Sequence, residues 1–452
     1  MSGMSASRTL FCLGLCLCII ASREAEFNGF NKGYTSVPVE EILSRSEVIT
    51  DINLARNSIT ELQVDDFSRF FSARVIILSD NRISDIPNGV FCETNVSELY
   101  LIRTSLDSAP VLGCVGDRLT YLNLDYCQIC YITSGTFDGM TSLLTVSMQH
   151  NCLSSFEGFT PLAGVVQNLY LSWNAFQIID GHLRHFSSVA ILNLNRNNIT
   201  AVDPEAFLNS SVFRLDLSWN ALTAFPDLRV LNDTLNRLYL EGNEIGDNIN
   251  ETLLSNLSGL YFLSLDSNRL TEFPYQLCGE QSAFRLTLRR LYLNDNLIRK
   301  VYAIGCSQLR LIEIQRNPLV SVPGFGSGFP HLKTVRLDGT SIRSVPTQNM
   351  SYLRTVLKLY LSKCNLEDWS EVVRLFNYTE KISTLKLSGN NLKEIGPQMY
   401  HLSTLRSLYL DNNNISCMPK VIEYEYSIIT VIIIVSIVYV GIFETCYFDT
   451  KL

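Results

Sequence analysis

Five side chains at one recurring position of this chain have the chemistry of a contact surface. Tyr126, His150, Trp173, Arg196 and Trp219 come immediately before the asparagine position of a repeated pattern, and Tyr121, Tyr170, Phe213, Arg214 and Tyr239 lie a few positions earlier in such stretches. Aromatics and arginine bury large areas at small entropic cost and dominate protein–protein contacts. An outward-facing patch of them is expected to bind a partner. The plain alternative is that tyrosine and tryptophan favour strands. A second group is cationic: Arg289, Arg290, Arg310, Arg316, Lys333 and Arg336, continued by Lys358, Lys363 and Lys386 and interrupted by Asp295, Glu313 and Asp338. It would suit an acidic glycan or an acidic protein face, against the alternative of a solvated charged surface.

Catalysis is not expected. There is no His-Glu-x-x-His, no phosphate loop and no Gly-x-Ser-x-Gly elbow, and the five histidines are scattered. The Gly324–Gly328 stretch reads as a turn. No metal or cofactor is expected. A net charge of −8 argues against nucleic acid as a partner.

The elements that must position these residues follow from one spacing. Leu-x-x-Leu-x-Leu-x-x-Asn-x-Leu recurs about sixteen times between Ile49 and Ile415, most clearly at Leu169–Phe176, Leu192–Ile199, Leu215–Leu222 and Leu408–Ile415. The asparagine position is held by Asn57, Asn81, Thr104, Cys127, Asn151, Asn174, Asn197 and Asn220. It continues as Asn243, Asn268, Asn296, Asn317, Thr340, Cys364, Asn390 and Asn413. Alternation before that position predicts a short strand with one buried face. One repeat cannot bury its own leucines, but a stack of repeats can. The asparagine amide then serves inward-facing backbone groups at the turn. Phe67, Phe91, Phe137 and Phe207, each ten residues after that position, are expected in the core.

The pattern resembles the extracellular leucine-rich repeat family. The resemblance implies an α/β solenoid, a horseshoe with a concave parallel sheet, and it implies that Cys127 and Cys364 are tolerated as buried thiols. The repeats resemble those of chaoptin-like adhesion proteins and of Toll-type ectodomains, here without an intracellular signalling domain.

Residues 1–22 read as a signal peptide, with Arg8 before the apolar run Leu10–Ala21. Residues 23–48 are similar to the family's N-terminal cap but lack its paired cysteines. The repeats are expected over 49–417, a juxtamembrane segment over 418–426, a transmembrane helix over 427–443 and a short cytoplasmic tail over 444–452. The alternative for 427–443 is a capping strand pair.

Register also speaks to the cysteines. Cys278 and Cys306 occupy equivalent places in adjacent repeats, roughly 5 Å apart by strand spacing, and Cys92 and Cys114 nearly so. Both pairs are expected to form disulfides. Cys127, Cys130 and Cys152 form a third cluster whose pairing stays open. Sequons at Asn95, Asn198, Asn209, Asn232, Asn250, Asn256, Asn349, Asn377 and Asn414 fit a secreted glycoprotein.

These features predict a single-pass plasma-membrane protein with extracellular repeats. It would act in adhesion or as a co-receptor, binding an extracellular or cell-surface protein, another copy of itself included, through the concave strands. The alternatives are an innate-immune recognition receptor or decoy, and a secreted structural matrix scaffold.

Overall fold

The computed structural model describes residues 24–301, 305–398, 403–419, 432–434 and 444–446. Its main element is an 18-stranded parallel sheet. Each repeat contributes about three residues, as in Asn168–Tyr170, Ile191–Asn193 and Arg214–Asp216. The register places leucine on leucine: Leu169, Leu192, Leu215 and Leu238 are successive partners. These leucines and those two positions later are fully buried. One apolar column therefore runs the length of the sheet behind the strands.

The chain leaves each strand by a tight turn that buries backbone carbonyls. The asparagine position supplies what water cannot. Asn220 Nδ2 donates to Leu217 O and, one repeat earlier, to Leu194 O, both at 3.0 Å, while its Oδ1 accepts from Ile199 N at 2.9 Å. Asn197 and Asn243 make the same bonds in their own repeats. Twice the ladder replaces two asparagines with a threonine–cysteine pair. Thr104 Oγ1 lies 3.2 Å from Cys127 Sγ, and Thr340 Oγ1 lies 3.2 Å from Cys364 Sγ. Both sulfurs reach the carbonyl that asparagine would serve. Burial raises both thiols, Cys364 to about 11, which keeps them protonated and inert.

Opposite the sheet the chain returns through turns and short helices. Phe67, Phe91, Phe137 and Phe207 are buried there, and Phe67 packs on Phe91 at 5.2 Å. The longer repeats spend their extra residues on helix. Trp369–Phe376, capped by Asp368, lies between Cys364 and Asn390, and Phe284–Thr287 lies between Asn268 and Asn296.

Both ends differ from expectation. Residues 24–48 do not form a separate cap. Glu24–Asn28 pairs in parallel with Val48–Asn53, Phe27 is buried, and Asn57 Oδ1 accepts from Lys32 N and Tyr34 N. This segment makes another coil, so the solenoid begins before residue 49. A paired strand covers the open edge without cysteines, and exposed Glu26 marks the new edge. At the other end, Ile432–Ile434, inside the expected 427–443 helix, is a strand parallel to Ser407–Tyr409. β-Branched residues favour that state over helix. Cys417–Pro419 pairs with Glu444–Cys446. No helix among the described residues is long and apolar enough to cross a membrane. The expected signal peptide, and the rest of the 418–452 segments, lie outside the described residues.

Asn220→Ala removes bonds to three buried backbone groups that water cannot reach. It is expected to lower stability by ~3 kcal/mol, roughly one per bond, in urea unfolding followed by tryptophan fluorescence. A change below ~1 kcal/mol would mean that the ladder is not what holds the turn.

Candidate binding surface

The turn that buries the asparagine also sets the residue before it. Arg56, Asp80, Arg103, Tyr126, His150, Trp173, Arg196 and Trp219 all have φ between 53° and 58°. Gly242, Gly339 and Gly389 take that place in later repeats, at φ 67–70°. A left-handed backbone costs a non-glycine residue ~1–2 kcal/mol. Large side chains are nevertheless held there, repeat after repeat, and the geometry aligns them face to face.

The result is a continuous stack. Arg103 lies over the Tyr126 ring at 4.5 Å. Tyr126 stacks on His150 at 3.9 Å, and His150 on Trp173 at 4.9 Å. Arg196 is sandwiched between Trp173 at 4.7 Å and Trp219 at 4.9 Å. Asp80 extends the row, pairing with Arg56 and Arg103 at 3.8 and 3.6 Å. Burial holds His150 below the ordinary imidazole value, with Arg103 acting the same way and Asp125 opposing. The row thus alternates neutral rings with two fixed guanidinium charges. Tyr126, Trp173 and Trp219 are 43%, 47% and 43% exposed. With ring faces covered by neighbours, the rims face outward, and an aromatic rim carries partial positive charge.

Trp219 ends the stack by lying over Gly242, where a Cβ would fall 2.5 Å from its Cδ2. A second aromatic cluster lies on the strands themselves, at their first and last residues. Arg214 covers Tyr239 at 4.6 Å, Tyr239 meets Phe262 at 4.7 Å, and Phe262 meets Tyr292 at 5.0 Å. The sequence reading grouped Tyr121, Tyr170 and Phe213 with the stack, and the structure separates them. Tyr121 packs on Tyr100 at 5.0 Å. Tyr170 closes its strand, with Ser147 and Asn193 as register partners. Phe213 precedes its strand, at the end opposite Trp219. Arg103 and Phe262 were missed. Arg103 comes just before Thr104, and reading the same column through threonine would have found it.

The cationic candidates also divide. Arg316 forks onto Asp295 at 2.5 and 2.6 Å. Arg336 pairs with Glu313 at 3.5 Å and covers Tyr360 at 4.8 Å. Arg289 and Arg290 both rest on Tyr261, at 5.4 and 5.8 Å. Between the two halves of the sheet lies half-buried Asp266, which accepts from Asn294 N at 2.6 Å. Burial pushes Asp266 up to about 7, with Glu241 and Glu313 adding to the rise and the Asn294 bonds opposing it.

Among the described residues, three disulfides tie neighbouring coils. Cys92–Cys114 and Cys278–Cys306 have Cα separations of 5.3 and 4.9 Å. The open cluster resolves to Cys130–Cys152, leaving Cys127 in the ladder. The hint was diagonal: Cys152 N donates to Ile129 O, which sets Cys152 beside Cys130.

A leucine-rich repeat family model matches residues 187–245. The chain is a leucine-rich repeat protein. It is 25% identical to lumican of Bos taurus over 321 residues, covering 68% of this chain and 82% of lumican. It is 27% identical to podocan-like protein 1 of Mus musculus over 389 residues, covering 82% and 62%. Its fold is similar to Toll in the Drosophila Toll–Spatzle complex, with a TM-score of 0.69 at 20% identity over 85% of this chain and 53% of that one. A leucine-rich repeat protein of Leptospira interrogans gives 0.63 at 21% identity over 87% and 91%. In this leucine-rich repeat protein all nine sequon asparagines are exposed, and none lies on a strand of the sheet.

Gly242→Ala is expected to push Trp219 off its seat, shifting tryptophan emission to the red and costing ~1–2 kcal/mol for the left-handed alanine. Unchanged emission would show that Trp219 does not rest there. For Asp266, the folded chain holds a proton between pH ~4 and ~7 that the unfolded chain releases, so its contribution to stability is lost as pH rises through that window. Asp266→Asn should match the unmutated melting temperature near pH 4 and exceed it at pH 8. Equal curves at both ends would place Asp266 in water.

Proposed function

We propose that this chain is a secreted extracellular scaffold that binds a protein partner through the Arg103–Trp219 stack. The observation that carries this reading is the stack itself. Six large side chains, all in left-handed turns whose strain glycine would relieve, form one exposed row. Nothing in the core requires them. Aromatic and arginine side chains pre-ordered in this way lose little entropy on binding.

The compartment reading rests on other support. The relatives, lumican and podocan among them, are secreted proteins of the extracellular matrix. That favours the matrix scaffold over the membrane-anchored receptor expected from the 427–443 run, and the strand at Ile432–Ile434 agrees with it. Disulfides between coils suit an oxidising environment. Toll, which shares the fold, is seen in complex with the protein Spatzle. The sequons leave the open face of the sheet free for such a contact.

The test uses the full chain expressed in cultured cells. It should accumulate in the medium and bind deposited, cell-free matrix. A Trp173→Ala, Trp219→Ala double variant should be secreted at the unmutated level and bind at least ~10-fold more weakly, as loss of hot-spot residues does. Loss of secretion would make the stack a folding element. Retention of the protein on the cell membrane would restore the anchored reading.

A further inference from the structure

A row of cations crosses the other end of the strands. In each coil the residue before the strand donates its backbone N–H to the same residue of the coil before. Arg310 N reaches Arg289 O at 2.9 Å, Lys333 N reaches Arg310 O at 2.8 Å, and Leu357 N reaches Lys333 O at 2.8 Å. Arg289, Arg310 and Lys333 are therefore consecutive rungs, spaced ~5 Å as parallel strands are. Arg290 and Lys358 stand beside the first and last of them, at the starts of their own strands. None of the five is in an ion pair among the described residues. Lys333 Nζ reaches only the Thr355 carbonyl, at 3.5 Å. The contrast with Arg316 and Arg336, both held by carboxylates in the same coils, is sharp.

Like charges on adjacent rungs repel, and the chain as a whole is acidic at −8, so the row is a local reversal of sign. We infer that Arg289, Arg290, Arg310, Lys333 and Lys358 form a site for a linear sulfated glycan. Several observations favour this over an acidic protein segment. The row repeats its charge from coil to coil, and the ring beside it, Tyr261, is covered by Arg289 and Arg290 and is not free as an anchor. Protein contacts depend on such anchors. A stiff polyanion does not, because the counterions it releases drive binding. The sequons also leave the row clear. Asn209, Asn232 and Asn256 lead into strands on this side before the row, and Asn377 leads into one after it. Asn349, between them, lies at the Pro323–Gly324 turn instead.

The site is separate from the stack, and the two can fail independently. The probes are heparin and poly-glutamate, with the full secreted chain. An Arg289→Gln, Arg310→Gln, Lys333→Gln variant should lose heparin affinity ~100-fold at fixed salt, and the slope of log K on log salt should fall by about 2. A control, Arg184→Gln, Arg229→Gln, Arg374→Gln, makes the same charge change at cations already paired with Glu205, Asp227 and Glu371; it should keep its affinity. The Trp173→Ala, Trp219→Ala variant should keep it too. Replacing the same three row residues by alternate cations (Arg289→Lys, Arg310→Lys, Lys333→Arg) should restore most of the binding, which separates charge from folding. Equal loss in the control would reduce the effect to net charge and overturn the site. So would an unchanged row variant. Poly-glutamate bound as tightly as heparin would make an acidic protein the occupant and overturn the glycan.

Discussion

Everything in this molecule depends on paying for the buried backbone at the exit of each strand. Parallel strands three residues long cannot satisfy the carbonyls that follow them, and the core excludes water there. The amide of the asparagine position bridges its own turn and the preceding coil, as Asn220 does between Leu217 and Leu194. Because each amide serves two coils, each coil is registered on its neighbour. The leucine column follows from that register rather than causing it. The threonine–cysteine substitutions are informative for the same reason. They occur in adjacent coils, where one hydroxyl and one thiol lie close enough to share the work.

The same turn decides what the surface can be. To bring the asparagine inward, the residue before it must turn left-handed, and its side chain is then displayed beside those of the coils on either side. A column built this way is decoupled from the core. Its occupants can be charges, as at Arg56 and Asp80, a ring stack, as from Tyr126 to Trp219, or glycine, as at Gly242, without any change to the buried leucines. The opposite end of the strands is another such column, set by backbone bonds from coil to coil. It carries the cations.

The periodic part of the fold was legible because the period is itself the physical cause. The leucines and asparagines repeat since each coil solves the same burial problem. What did not show was whatever depends on position across the strand. Tyr121, Phe213 and Trp219 share composition and neighbourhood in the chain, yet they leave the strand at different points, so only Trp219 joins the stack. Cys130 and Cys152 were ambiguous since the chain descends obliquely after the asparagine, and partners there are offset rather than level. Residues 24–34 were unrecognised as a coil because Lys32 stands where asparagine would, so this coil has no ladder asparagine of its own and receives only the inter-coil bonds from Asn57 of the next. Ile432–Ile434 sits in a run whose hydrophobicity alone serves a membrane span and a capping strand equally well.

Charge separates the two proposed surfaces more firmly than distance does. In the stack, Arg103 and Arg196 have their charge spread against ring faces, Arg103 also being tied to Asp80. What that row offers a partner is mainly flat, ordered, partly apolar area. In the cation row, Arg310 and Lys333 have no ring and no carboxylate against them among the described residues, so their charge is open to the solvent and to salt. The first surface should bind with little dependence on ionic strength, since its contacts exclude water. The second should weaken steeply as salt rises, because screened exposed charges lose most of their reach within ~10 Å at 0.1 M. A solenoid can carry both because its core is indifferent to either column, and the stack and the cation row lie on different coils, at opposite ends of their strands, so a protein partner and an anionic polymer can be held at once.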